Sequence, residues 1–147
     1  PQFKGRDGCR TPMVWQTQSP LGGFTTATRA WLPVPADHMT KAVDRQVADP
    51  NSVLAHYRAM LAFRRKHPAL IKGGIRTLDA PEGVLAFIRD HGGERLYCVF
   101  NMSEKAALVD VPDGFTLVPS EAPGIVDEPV QSSLSLAPFG AYIGILR

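Results

Sequence analysis

The chain has 147 residues, enough for one ordinary domain, and 44% of them are hydrophobic, enough for a core. Sixteen basic against fourteen acidic side chains leave a net charge of +2, close to balance, which gives no electrostatic case for nucleic acid, a partner that wants a strongly basic face. No apolar run approaches the ~18 residues of a membrane span, and two cysteines without metal-ligand spacing exclude a disulfide framework or a cysteine-built metal centre.

Thirteen glycines and thirteen prolines predict a chain rich in turns. The first 39 residues show turn chemistry and two tryptophans but little periodicity, and a long irregular stretch in a compact domain is usually functional. Within it, Asp7-Gly8 reads as a tight turn in which Gly allows positive φ. Pro12 stiffens the backbone directly after Arg10, because it fixes its own φ and restricts Thr11 to extended geometry. Met13 and Trp15 are expected to tuck under neighbouring structure and pin the loop. Arg10 thus sits between a turn and a proline, and its planar fork suits either hydroxyl or carboxylate oxygens of a ligand or a neighbouring carboxylate as brace. Phe3, Met13, Trp15, Leu21, Phe24, Trp31 and Leu32 all need something to pack on, more than one helix can offer.

A short helix is expected over 40–48, with Thr40 as cap and Val43 and Val47 on one face. Asp49 as N-cap and Pro50 at the first helical position open a second helix running to about His67. Val53, Leu54, Tyr57, Met60 and Leu61 recur at threes and fours along it. Arg64, Arg65, Lys66 and His67 complement the negative helix end, and Pro68 stops it, so this basic cluster reads as structural.

From Gly73 the period changes to two. Strands are expected at 74–79, 84–90, 95–102, 106–111, 115–119, weakly at 125–130, and at 132–136 and 141–146, with Gly/Pro turns between them. That spacing predicts a small antiparallel sandwich whose central strands are covered on both faces. Cys98 reads as a buried, inert thiol and Cys9 as a loop thiol with no adjacent activating base. His38, His56, His67 and His91 share no spacing that suggests a metal or a triad, and Asp127-Glu128 read as solvated charges. No residue pattern calls for a metal or a cofactor.

The stretch Arg6-Asp7-Gly8-Cys9-Arg10-Thr11-Pro12-Met13-Val14-Trp15 resembles the segment after the eighth barrel strand in the alpha-glucosidase branch of the alpha-amylase family, glycoside hydrolase family thirteen. Gly23-Phe24-Thr25, Trp31-Leu32-Pro33-Val34, Asp49-Pro50-Asn51-Ser52-Val53-Leu54, Tyr57-Arg58, Arg64-Arg65-Lys66-His67-Pro68-Ala69-Leu70 and Val99-Phe100-Asn101 continue the likeness in order. Val14, where Pro or Gln is common, and Ala30, where Pro is usual, are small departures. The Gly8-Cys9 pair most resembles bacterial alpha-glucosidases.

The resemblance implies the end of a (β/α)8 barrel over 1–72, contributing a substrate loop and a final helix at about 50–67, then an antiparallel β-sandwich over 73–147. It implies retaining hydrolysis of terminal non-reducing alpha-linked glucose by two carboxylates about 5–5.5 Å apart. It also implies that those carboxylates lie on earlier barrel strands, so none is assigned here. Arg10 matches the family arginine that hydrogen-bonds the non-reducing glucose. The implied partners are an alpha-glucoside or maltooligosaccharide substrate and the N-terminal barrel portion, with neither nucleic acid nor membrane. Related activities (oligo-1,6-glucosidase, trehalose synthase, sucrose isomerase) or a non-catalytic sugar-binding sandwich are the alternatives. The expected compartment is the cytoplasm, with the periplasm left open.

Overall fold

The computed structural model describes residues 5–125, 130 and 132–147. The chain forms two compact units, the first reaching Arg58 and the second running from Ala59 to Arg147. The first consists of irregular chain, three short 3-10 turns (Asp7–Cys9, Pro20–Gly23 and Ala36–Lys41), helix α1 (Val43–Ala48) and the start of helix α2 (Val53–Lys66). The second holds the end of α2, helix α3 (Pro68–Lys72) and strands β1 (Gly74–Leu78), β2 (Val84–His91), β3 (Glu94–Asn101), β4 (Ala107–Asp110), β5 (Leu117–Pro119), β6 (Ser133–Leu136) and β7 (Ala141–Leu146).

Two caps differ from expectation. Thr40 lies inside the 3-10 turn and donates its hydroxyl hydrogen to the Asp37 carbonyl oxygen, so α1 starts after Ala42 with no side-chain cap. Val47 on that helix is exposed. Asp49 closes an Asx turn by accepting the Asn51 N–H at 2.8 Å. The α2 cap is instead Ser52, whose Oγ accepts the Ala55 N–H at 3.1 Å and donates to the Gln46 carbonyl at 2.7 Å. Ser52 wins because its short hydroxyl reaches the N3 amide one turn later than the Asp49 register would start the helix. Arg64, Arg65 and Lys66 occupy the last turn of α2 as expected. Pro68 forces His67 into extended geometry (φ −113°, ψ 96°) and then opens α3, a helix the periodicity did not announce.

The sheet order is β1-β2-β3-β7-β5, antiparallel throughout, and β4 pairs β6 in a second, two-stranded sheet. Gly92 (φ +60°) and Gly93 (φ +86°) make the two-residue β2–β3 turn, in which both central residues need positive φ. The alternation then sorts side chains by face. Ala86, Ile88, Tyr97, Val99 and Tyr142 pack against Val109, Leu134 and Leu136 of the small sheet, forming the interior of the sandwich. The opposite face carries Leu96, Cys98 and Ile143 and is covered by Met60, Phe63, Ala69 and Leu70 from α2 and α3. Both faces of the central strands are thus buried, as their two-sided apolar pattern required. The Tyr97 hydroxyl donates to the Asp110 carbonyl at 3.1 Å and ties the sheets together. Burial and the nearby Asp110 charge raise its pKa. The weak strand at 125–130 and the Asp127-Glu128 pair fall mostly outside the described residues; Val130 itself bridges Leu117.

Candidate functional site

The site is built on the first unit. Cys9 N–H donates to the Arg6 carbonyl and Arg10 N–H to the Asp7 carbonyl, both at 3.1 Å, so residues 6–10 wind into a single 3-10 turn. The turn expected at Asp7-Gly8 is present, but without positive φ at Gly8, because a 3-10 turn uses ordinary negative φ. Arg10 caps it at φ −118°, ψ 12°, and Thr11 leads into Pro12.

Beyond Pro12 the expected burial is inverted. Pro12 and Val14 point inward, while Met13 and Trp15 remain 52% and 48% exposed. An extended strand alternates its side chains, and burying Val14 turns its neighbours outward. What pins the loop is backbone. Trp15 and Gln16 N–H groups donate to the Gly22 carbonyl at 2.8 and 3.0 Å, and Val43 and Asp44 N–H groups donate to the Val14 and Trp15 carbonyls. Asp44 accepts from the Thr17 N–H and hydroxyl, each at 2.8 Å, and these bonds hold its carboxyl below its ordinary value. Gly22 (φ +65°) faces Val14 so closely that a Cβ would meet Val14 Cγ1 at 2.8 Å, and Leu21 beside it is held at φ +50°. A non-glycine residue at positive φ persists only where its surroundings over-determine it.

This bracing shapes an open concavity of about 670 Å³ lined by Asp7, Arg10, Thr11, Pro12, Met13, Phe24, Trp31 and Leu32. Arg10, picked from the sequence, is on its rim. Phe24 and Trp31, which the sequence marked only as apolar residues needing a partner, complete the wall, and they are 51% and 97% exposed. Their signal was position: each is a large apolar residue next to a turn or proline, Gly22-Gly23 before Phe24 and Pro33 after Trp31. Among the described residues the Arg10 guanidinium forms no hydrogen bond or ion pair, which leaves its donors available. A mostly apolar hollow with a few polar groups at its edge suits a ligand that offers oxygens on one side and a C–H face on the other.

The remaining candidates lie elsewhere. Cys9 is an exposed free thiol donating to the Arg6 carbonyl at 3.0 Å. Cys98 is buried in β3, and burial, only partly offset by the Arg89 charge, pushes its thiol up to about 12. No group of three or more His, Cys, Asp or Glu that could hold a metal occurs among the described residues, and no described helix is long and apolar enough to cross a membrane.

Residues 1–73 match the model of the alpha amylase catalytic domain, and residues 75–143 match the maltogenic amylase C-terminal domain. The chain belongs to the alpha-amylase family. It is 47% identical over 146 residues to a probable alpha-glucosidase of Rhizobium meliloti (strain 1021), a match covering 99% of this chain and 26% of that protein. It is 34% identical over 112 residues to the oligo-1,6-glucosidase of Parageobacillus thermoglucosidasius, covering 76% of this chain and 20% of the relative. Among solved structures, the alpha-glucosyl transfer enzyme XgtA superposes with a TM-score of 0.88 at 40% identity, over 100% of this chain and 27% of that one. The chain spans about a quarter of the length of these alpha-amylase-family relatives. It carries the end of a catalytic domain and a β-sandwich C-terminal domain.

Proposed function

We propose that this chain is part of a retaining alpha-glucosidase that releases terminal non-reducing alpha-linked glucose from maltose-like oligosaccharides. Residues 1–72 serve as the end of the catalytic barrel and residues 73–147 as the C-terminal domain. Arg10 hydrogen-bonds hydroxyls of the non-reducing glucose, while Trp31 and Phe24 offer apolar surface beside it. The observation that carries this reading is the Arg10 guanidinium, without a partner among the described residues, lining the braced, aromatic-walled hollow. A planar fork can bridge two adjacent oxygens, which a flexible ammonium cannot. The two reacting carboxylates of retaining chemistry are assigned to no residue of this chain, and the barrel portion that supplies them is its principal partner. Two free thiols, one of them exposed, support a cytoplasmic setting.

A second reading is glucosyl transfer rather than hydrolysis, supported by the 40% identity to an alpha-glucosyl transfer enzyme. A non-catalytic sugar-binding sandwich has less behind it. Tyr97 and Tyr142 are buried, Phe87 and Phe100 stack on each other at 6.0 Å, and Phe139 is the one exposed Phe, Tyr or Trp among the described residues of the second unit. The test is proton NMR of the first glucose released by the complete enzyme from p-nitrophenyl α-glucoside, whose leaving group has no anomeric centre of its own. The expected product is glucose appearing first as the α-anomer. A β-anomer first would overturn retention, and new oligosaccharides in place of free glucose would establish transfer.

A further inference from the structure

Glu94 begins β3 and uses both carboxylate oxygens on the corner where α2 ends and α3 begins. One oxygen lies 2.7 Å from His67 Nδ1, and the other accepts the Ala69 N–H at 2.9 Å. The His67 ring stands 4.4 Å from the Phe63 ring, which is buried, and the His67 and Glu94 side chains are only 14% and 25% exposed. Pro68 forces His67 out of the helix; the Leu70 N–H finds the His67 carbonyl at 2.9 Å, and the Ala69 N–H turns to Glu94. Ala69 itself is fully buried against the sheet.

We propose that Glu94 and His67 form an acid-labile latch that holds the α2–α3 corner on the β2–β3 hairpin of the second unit. Among the described residues the charged groups that face the carboxylate are His67 from the corner and His91, its cross-strand partner in β2; α3 offers it the Ala69 N–H. Burial pushes the Glu94 carboxyl up, but the Ala69 N–H, the His67 bond and the two histidine charges outweigh it and leave it below its ordinary value. A carboxyl lowered in the folded state stabilises the fold fully above its unfolded value, near ~4.3, and loses that contribution as pH falls through the folded value. Protonation removes the charge that strengthens both bonds and turns one acceptor into a hydroxyl.

The test is the Ala69 amide resonance in the chain labelled with nitrogen-15 alanine, followed from neutral pH to roughly pH 3, well below the unfolded carboxyl value. The latch predicts a single titration step of Ala69 on the acid side, absent in Glu94→Gln. It also predicts that His67→Phe moves the midpoint upward, because a cause of the depression is gone. Parent and Glu94→Gln should differ by about 3–5 °C in melting temperature at neutral pH, and the difference should shrink as the pH falls through the folded value of the carboxyl. An Ala69 amide that does not titrate in the parent, or a midpoint unmoved in His67→Phe, overturns the latch. Should Glu94→Gln fail to fold, the parent and His67→Phe titrations still decide it.

Discussion

In the second unit each central strand hides both faces, and apolar side chains from two sheets and two helices meet on either side of β3. In the first unit the loop from Asp7 to Trp15 is held by backbone bonds to Gly22, Val43 and Asp44, while Met13, Trp15, Phe24 and Trp31 stay largely open. One region is made by packing and the other by hydrogen bonds and backbone angles. A packed strand has no donors to spare for a ligand, whereas a loop pinned through its main chain leaves its side chains available. This division explains why the binding chemistry proposed here falls on the less compact part of the molecule.

The largest contrast expected between the two regions is chemical. With its thiol pushed up to about 12, Cys98 is ionised to roughly one part in ten thousand at about pH 8. A thiol reagent should therefore label Cys9 promptly in the native protein and reach Cys98 only on unfolding. Mass spectrometry showing two labels in the native state would contradict the packed strand. Next comes Leu96→Ala, at a fully buried position in the middle of the sheet. It should cost about 2–5 kcal/mol, most of it a cavity left between sheet and helix, and a denaturant titration would show it.

Gly22→Ala attacks the other region through its backbone. Placing a Cβ at positive φ costs about 1–2 kcal/mol, and here Val14 must also move. The expected outcome is faster hydrogen exchange at the Trp15 and Gln16 amides with unchanged protection in β3. Equal loss in both would mean that the loop has no independent brace. The smallest effect expected is Asp44→Asn. The Asp44 carboxyl is lowered by its Thr17 bonds, so its contribution is present above the ordinary carboxylate value and fades as pH falls below it. The Thr17 amide resonance should move on acidification in the parent and stay still in the variant.

Much of the sandwich was legible in the sequence, because a period of two with Gly/Pro turns leaves little freedom: β7 spans the residues expected, β2 runs one residue longer at its end, and β3 is offset by one residue at both ends. The caps were harder. Asp49 and Ser52 are both good N-cap residues three positions apart, and only the position of Gln46, which accepts from Ser52 and from the Leu54 N–H, decides between them. Arg10 was legible from its turn and proline, whereas Phe24 and Trp31, which line the same hollow, stand 14 and 21 residues further along the chain, a placement no local pattern encodes. The His67–Glu94 pair was invisible for the same reason, being 27 residues apart in the chain.

The most direct measurement is a crossed comparison in the complete enzyme: kcat/KM on maltose and thermal melts for Arg10→Ala beside Leu96→Ala. A charged hydrogen bond to a ligand is worth about 1.5–3 kcal/mol, so Arg10→Ala should lower kcat/KM about ten- to a hundredfold or more while the melt stays near the parent's. Arg10→Lys should recover little of that loss, because a point charge cannot span two oxygens. Leu96→Ala should do the opposite, lowering the melt by about ten degrees and leaving kcat/KM near the parent's at temperatures where it is folded. If Arg10→Ala instead drops the melt by many degrees and keeps kcat/KM within about threefold of the parent, well under the tenfold that a lost 1.4 kcal/mol bond implies, then Arg10 is a brace of its loop and not a ligand of the sugar.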